Sequence, residues 1–213
     1  MTPLAQLSDL YKRLEEYDMM NDPHGDCIIF SNHFDVTVKA SNSENLLRCR
    51  KGTEVDEQVL KETFEFLRFN VTIYRNCSGE EMKKIFQEYA SQKEQKDNDC
   101  FICCILSHGY EGGVYGNDGT AVSTKSIKNI FSGDNCPYLV TKPKLFFIQA
   151  CQGEQDSGLA WLERDGGLSP YKLSPCMTEN GGFDLSWTEE KENIAADADI
   201  LVFMATTPGT YIK

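Results

Sequence analysis

No stretch of this 213-residue chain approaches the ~20 consecutive apolar residues that a membrane-spanning helix requires, so no membrane span is expected. The start, MTPLAQLSDLYKRLEEYDMM, lacks the basic opening and apolar centre of a secretory leader. Positive charge is scarce as well, with 21 Lys and Arg against 33 Asp and Glu and a net charge of −12. Nucleic acid and anionic membranes, which attract a basic face, are therefore not expected partners. There are no internal repeats, so a repeat architecture is not expected either. Cys and His do not cluster at ligand spacing, and neither a metal nor a cofactor is expected. The nine cysteines are odd in number and several lie inside apolar runs, which reads as reduced thiols of a cytoplasmic protein, not a disulfide framework.

What is present is an ordinary globular composition, 40% hydrophobic and 25% charged, in a length that suits one domain with tails. Residues 1–24 are polar and read as a helical or flexible approach segment. Cys27-Ile28-Ile29-Phe30 reads as a buried strand, and Val71 to Tyr74 as another. Between them, after a loop around Ser41 to Arg50, Thr53-Glu54-Val55-Asp56 resembles a capping box opening a helix with Val55, Val59, Leu60, Phe64 and Leu67 at helical spacing. Ser78-Gly79-Glu80-Glu81 repeats that pattern ahead of Met82, Ile85, Phe86 and Tyr89.

Cys100 to Leu106 is apolar throughout, as a central parallel strand covered on both faces should be. Asn117-Asp118-Gly119 predicts a hairpin turn within Gly113 to Val122, and Ile127, Ile130 and Phe131 mark a short helix. Leu145 to Ile148 is a further buried strand. Strand and helix alternate, which predicts an α/β fold: a mostly parallel central sheet sandwiched between helices. Segment 25–151 forms this core. Segment 152–198 loses periodicity and is rich in Gly, Ser, Pro and acidic residues, as a functional loop or linker would be. Segment 199–213 opens with a last strand, Asp199 to Thr206.

Active sites of parallel sheets lie at the carboxyl ends of strands. Two such ends carry Ser107-His108-Gly109 and Gln149-Ala150-Cys151-Gln152-Gly153. A thiol is a good nucleophile only as thiolate, and an imidazole can take its proton, so Cys151 and His108 brought together make an acyl-transfer centre. Taken alone, a Cys after an apolar strand is more often a buried structural thiol, and the same holds for Cys100, Cys103 and Cys104, which read as small hydrophobes. His24 and His33 read as structural or solvated. The acidic run Glu189 to Glu192 reads as a solvated face.

With CFICCILSHG, YGNDG and KPKLFFIQACQGE in this order, residues 25 to 211 resemble the caspases, cysteine proteases that cleave after aspartate, and within them the initiators of the death-receptor branch. The QACQG pentapeptide is itself a known signature of that family. The resemblance implies a caspase-like three-layer α/β sandwich, with 25–151 as the large subunit, 152–198 as an intersubunit linker and 199–213 as the start of the small subunit. It makes Cys151 the nucleophile and His108 the general base, with the backbone N–H groups of Gly109 and Cys151 as oxyanion hole. A backbone carbonyl, matched by that of Arg48, would orient the imidazole.

Arg50 matches the family arginine that grips the substrate aspartate, a task suited to a guanidinium fork, which makes two parallel charge-assisted hydrogen bonds. Taken alone, an Arg near a helix start is more often a solvated surface charge. Gln149 would join it on the same carboxylate, and Tyr211 would line the neighbouring subsite. Processing is expected after Asp165, with Asp156 as runner-up. The implied partners are protein substrates carrying Asp and other caspase chains that dimerise through the small subunit, in apoptotic or inflammatory signalling. An alternative expectation, prompted by the chain stopping at Lys213 before a further family arginine, is a truncated, weakly active form that acts as a binding or regulatory protein.

Overall fold

Apolar residues that alternate between two faces dictate the centre of this protein. In the computed structural model, which describes residues 17–150 and 199–205, five strands form one sheet: β1 (Gly25–Ser31), β4 (Phe69–Arg75), β5 (Cys100–Leu106), β9 (Lys144–Gln149) and β10 (Ile200–Met204), in the order β10-β9-β5-β1-β4. All four pairings are parallel. Because side chains along a strand point alternately to opposite faces, Ile28, Phe30, Phe101, Cys103, Ile105, Phe146 and Ile148 fall on one side. Cys27, Ile29, Ile102, Cys104, Leu145 and Phe147 fall on the other.

Each side is covered by helix. The first carries α2 (Gly79–Ser91), through Met82, Phe86 and Ala90, and α3 (Thr124–Ile130), through Ile127. Phe131 just beyond α3 stacks on Phe101 with ring centroids 4.7 Å apart. The second carries α1 (Thr53–Phe66), whose Leu60 and Phe64 pack on Phe69 and Phe147. These are the three layers expected of the α/β reading. The described residues belong to one compact unit drawn from Met1–Glu154 and Ala195–Lys213. Among them, no helix is long and apolar enough to cross a membrane.

The two expected capping boxes fare differently. At α2 the box forms: the Ser78 side chain accepts from the Glu81 N–H and the Glu81 carboxylate accepts from the Ser78 N–H. At α1 it does not. The chain reverses at Gly52, which serves as N-cap with φ +85°, a left-handed conformation that glycine adopts without steric cost. Thr53 is thereby carried inside the helix, where its hydroxyl donates back to the Arg50 carbonyl at 3.0 Å and leaves the helix N–H groups unserved by any side chain. The apolar stripe of α1 also divides. The face on the sheet runs Thr53, Glu57, Leu60, Phe64, whereas Val55 and Val59 point to solvent at 66% and 56% exposure.

Smaller strands finish the carboxyl end of the sheet. The loop expected after β1 contains a two-residue hairpin, β2 (Val38–Lys39) with β3 (Leu46–Leu47). The expected hairpin at Asn117-Asp118-Gly119 joins β7 (Gly113–Tyr115) to β8 (Ala121–Ser123), and β6 (Gly109–Tyr110) adds a third antiparallel strand that periodicity did not indicate. Phe34, Ala40, Leu47 and Tyr115 form a separate small core beneath these pieces.

Candidate active site

The register of the sheet sets the floor of the site. Ser31 lies beside Leu106, and Leu106 beside Gln149, so β1, β5 and β9 end in one row. The segments leaving that row are Asn32-His33-Phe34, Ser107-His108-Gly109 and Ala150, the last residue described before Cys151. Neighbouring strands lie ~4.8 Å apart, so segments leaving β5 and β9 start side by side. Gly109 begins β6, where it pairs with Val114.

His108 is half-buried and fixed on two sides. Its Nε2 lies 2.7 Å from the Arg48 carbonyl oxygen. A carbonyl only accepts, so Nε2 carries the proton and, in the neutral ring, Nδ1 carries the lone pair. The edge of Phe34 packs on the imidazole with centroids 4.6 Å apart. Phe34 is fully buried in the small core and holds φ at +57°, a strained conformation for a residue with a side chain, secured by its N–H to Asn117 Oδ1 at 2.8 Å. Leu47 sits in the same core and thereby places the next residue, Arg48, with its carbonyl at the imidazole.

Burial pushes the His108 imidazole below its ordinary range, and the nearby Arg50 charge pushes it further, while the bond to Arg48 opposes both. The ring is thus kept neutral to lower pH than a free histidine, which titrates near ~6.5. An NMR titration of the His108 ring signals is expected to give a midpoint below that value, moving up in Arg50→Ala as the neighbouring charge is removed. A midpoint at or above the ordinary imidazole range in the unaltered protein would contradict this.

Arg50 is half-buried beside this histidine. Its backbone N–H donates to the His33 carbonyl at 2.8 Å, and its Nη1 lies 3.4 Å from the Asn32 carbonyl and 3.2 Å from Thr53 Oγ1. Asn32 is itself buried, taking the Cys77 N–H on Oδ1 and directing its amide at Ser107 Oγ and the Tyr115 carbonyl. The sequence did not single out Asn32 or Phe34, marked Thr53 only as a helix cap, and marked Ser107 only as part of the segment that carries His108. Their one legible signal for a role in the site was position, just past the carboxyl end of a buried strand or beside Arg50.

Gln149, also half-buried, accepts the Ser107 N–H on its carbonyl at 3.3 Å. It lines an apolar cleft of about 290 Å³ on the α1 side of the sheet, with Leu60, Leu106, Phe147 and Phe203 among its walls. The structure therefore gathers His108, Arg48 and Arg50 in one group and sets Gln149 at the adjoining strand end. Cys151, Tyr211, Asp156 and Asp165 lie outside the described residues, as does Glu189 to Glu192.

Burial disfavours the thiolate of several core cysteines. Burial drives Cys103 well above the usual thiol range and raises Cys100 to about 12. Cys27 is raised by its contact with Cys104 and by burial. His24 bridges Asp99, 3.2 Å from Nδ1, and Arg68, 2.9 Å from Nε2, at the opposite end of the strands. Among the described residues no group of His, Cys, Asp and Glu is arranged to hold a metal ion.

A parallel sheet with helices on both faces, its carboxyl end carrying a carbonyl-anchored histidine beside an arginine, defines an α/β protein with a candidate site at the strand ends. The family model described as "Caspase domain" matches residues 24–212. The chain belongs to the caspase family. It is 36% identical to Caspase-8 of Mus musculus over 206 residues, which make up 96% of this chain and 41% of that protein. It is 35% identical to human Caspase-10 over 93% of this chain and 34% of the relative. Caspase drICE of Drosophila melanogaster is 36% identical over 92% of this chain and 51% of the relative. The chain thus spans about two-fifths of the length of the mouse relative.

Proposed function

We propose that the whole protein is a cysteine endopeptidase that cleaves proteins after aspartate, in the cytoplasm, as part of apoptotic or inflammatory signalling. The observation that carries this reading is the fixed imidazole: Nε2 is bound to the Arg48 carbonyl, which leaves Nδ1 as the proton acceptor at the end of the strand next to the one that leads to Cys151. In the first step the Cys151 thiol gives its proton to His108 Nδ1 and the thiolate adds to the substrate carbonyl. The oxyanion takes hydrogen bonds from the N–H groups of Gly109 and Cys151. Collapse breaks the peptide C–N bond, and His108 returns the proton to the leaving amine. Water then hydrolyses the thioester, with its proton passing to His108 and on to the Cys151 sulfur.

Specificity rests on Arg50, held by the carbonyls of Asn32 and His33 so that its guanidinium faces an aspartate side chain, with Gln149 beside it and Tyr211 at the next subsite. On this reading 25–151 is the large subunit, 152–198 the linker and 199–213 the opening of the small subunit, through which caspase chains pair. Among the described residues β10 is the outermost strand on its side of the sheet, with Leu201 and Phe203 about half exposed, and an open strand edge is a template for pairing. The same edge supports the second reading, in which this length of chain binds its relatives as a regulator.

One experiment tests the enzyme reading. The full-length protein is incubated with a peptide library and both library and protein are analysed by mass spectrometry. Cuts are expected after Asp in the peptides and after Asp165 in the protein's own linker, with Asp156 second. Cuts after other residues, or none, would overturn the reading, and an intact linker beside active cleavage of peptides would overturn the processing sites alone.

A further inference from the structure

A charge cluster built on one buried carboxylate lies behind the carbonyls that hold Arg50 and has no part in the chemistry above. Glu57 is on the sheet-facing side of α1, one turn after Thr53, and is only 6% exposed. A buried carboxylate is costly unless its oxygens are taken up by donors. Arg75, at the end of the edge strand β4, supplies them: Nε lies 3.1 Å from each Glu57 oxygen and Nη2 reaches Oε1. Burial pushes the Glu57 carboxyl up, but hydrogen bonds from Arg75 and Ser31 outweigh it and hold the group below its ordinary range.

The cluster continues to the site through two residues. Ser31, fully buried, favours the charged form of the Glu57 carboxyl and lies 3.0 Å from His33 Nε2. The His33 imidazole is 3.9 Å from Glu57 and, through Nδ1, 3.3 Å from Glu54. Ser31 and His33 flank Asn32. The carbonyls of Asn32 and His33 are the two that receive Arg50. A third path is direct, because Thr53 touches the guanidinium and Glu57 stands one helical turn away on the same face. A Glu57 carboxylate without its fork would compete with a substrate aspartate for Arg50.

Stability alone gives little reason for this arrangement, since the Arg75 side chain is 58% exposed and an ion pair open to solvent on one side contributes little. We propose that Glu57 and Arg75 are positioning residues for substrate recognition: the Glu57 carboxylate, saturated by the Arg75 fork, anchors Ser31 and His33 so that the Asn32 and His33 carbonyls present Arg50 to an aspartate. The inference rests on the reading of Arg50 as the carboxylate-binding residue.

The test uses the full-length protein and two probes of the Cys151 thiol. One is an electrophilic peptidyl ketone with Asp at the recognised position, which needs Arg50. The other is iodoacetamide, which does not. In Glu57→Ala the second-order rate with the Asp probe is expected to fall about tenfold, the scale of one weakened charge-assisted hydrogen bond. Arg75→Ala should fall further, because it leaves the carboxylate unpaired, and the double variant should return to the level of Glu57→Ala. Glu57→Gln, which keeps acceptor and volume, should lie between the unaltered protein and Glu57→Ala. Iodoacetamide rates should not change in any of them.

Unchanged Asp-probe rates, or equal losses with both probes, would overturn the proposal in favour of a merely structural role. Arg50→Ala separates the two readings. If it lowers the Asp-probe rate while the Glu57 and Arg75 variants do not, only the positioning role falls. If it too is silent, the assignment of Arg50 falls and the positioning role with it.

Discussion

Cys151→Ala is expected to abolish hydrolysis of Asp-containing peptides by the full-length protein, a loss of about 10³-fold or more, while the melting temperature stays within a few degrees of the original. Removing a nucleophile ends the covalent route altogether, and what survives in such enzymes is the residue of binding and oxyanion stabilisation. The exchange takes away a single sulfur atom. His108 and Arg50 are held by contacts on other segments, the Arg48 carbonyl and Phe34 for the former and the Asn32 and His33 carbonyls for the latter, so the frame of the site should be intact. Steady-state kinetics with a fluorogenic Asp-peptide, paired with a thermal melt, reads both quantities. Near-normal turnover would end the nucleophile assignment, and a collapsed melt would show instead that residue 151 holds the fold.

Arg50→Lys is expected to be almost as damaging as Arg50→Ala, each lowering kcat/KM for Asp-peptides by about a hundredfold, the scale of one or two lost charge-assisted hydrogen bonds at ~1.5–3 kcal/mol each. Arg50 directs Nη1 at the Asn32 carbonyl and Thr53 hydroxyl, and its guanidinium is a fixed planar fork of the kind that fits a carboxylate. A lysine ammonium at the same place is one point of charge with no second parallel donor. The loss should fall on KM more than on kcat, because the bond to the aspartate forms on binding. Retention of most activity in the Lys variant would mean that charge alone suffices and that the fork is not used.

How far the chain could be read from residues alone follows from the range of the forces involved. The core strands were legible because Cys27 to Phe30, Cys100 to Leu106 and Leu145 to Ile148 are apolar without interruption, and only a sheet covered on both faces buries every residue of such a run. The α2 start was legible because its cap is a contact between residues three apart. The α1 start was misread by one residue because the decision lay with Gly52, whose left-handed turn moved Thr53 inside the helix and turned its hydroxyl to Arg50. Strands of two residues, β2, β3 and β6, offer no period to detect.

The same division runs through the site. His108 and Cys151 stood out because their chemistry resides in the side chain and each follows a buried run. The partners of His108 did not: Arg48 acts through a carbonyl that every residue possesses, across 60 positions of sequence, and Phe34 acts through the edge of its ring. Glu57 and Arg75 were not singled out in the sequence, and only the packing of α1 on the sheet buries Glu57 and brings it to Arg75 and His33. Residue type and local period thus gave the layers of the fold and pointed to Cys151 and His108 as candidates for nucleophile and base. Backbone donors and acceptors that are chemically alike at every position acquire a role only when distant segments meet, so which tautomer His108 adopts and what holds Arg50 were decided by the tertiary structure alone.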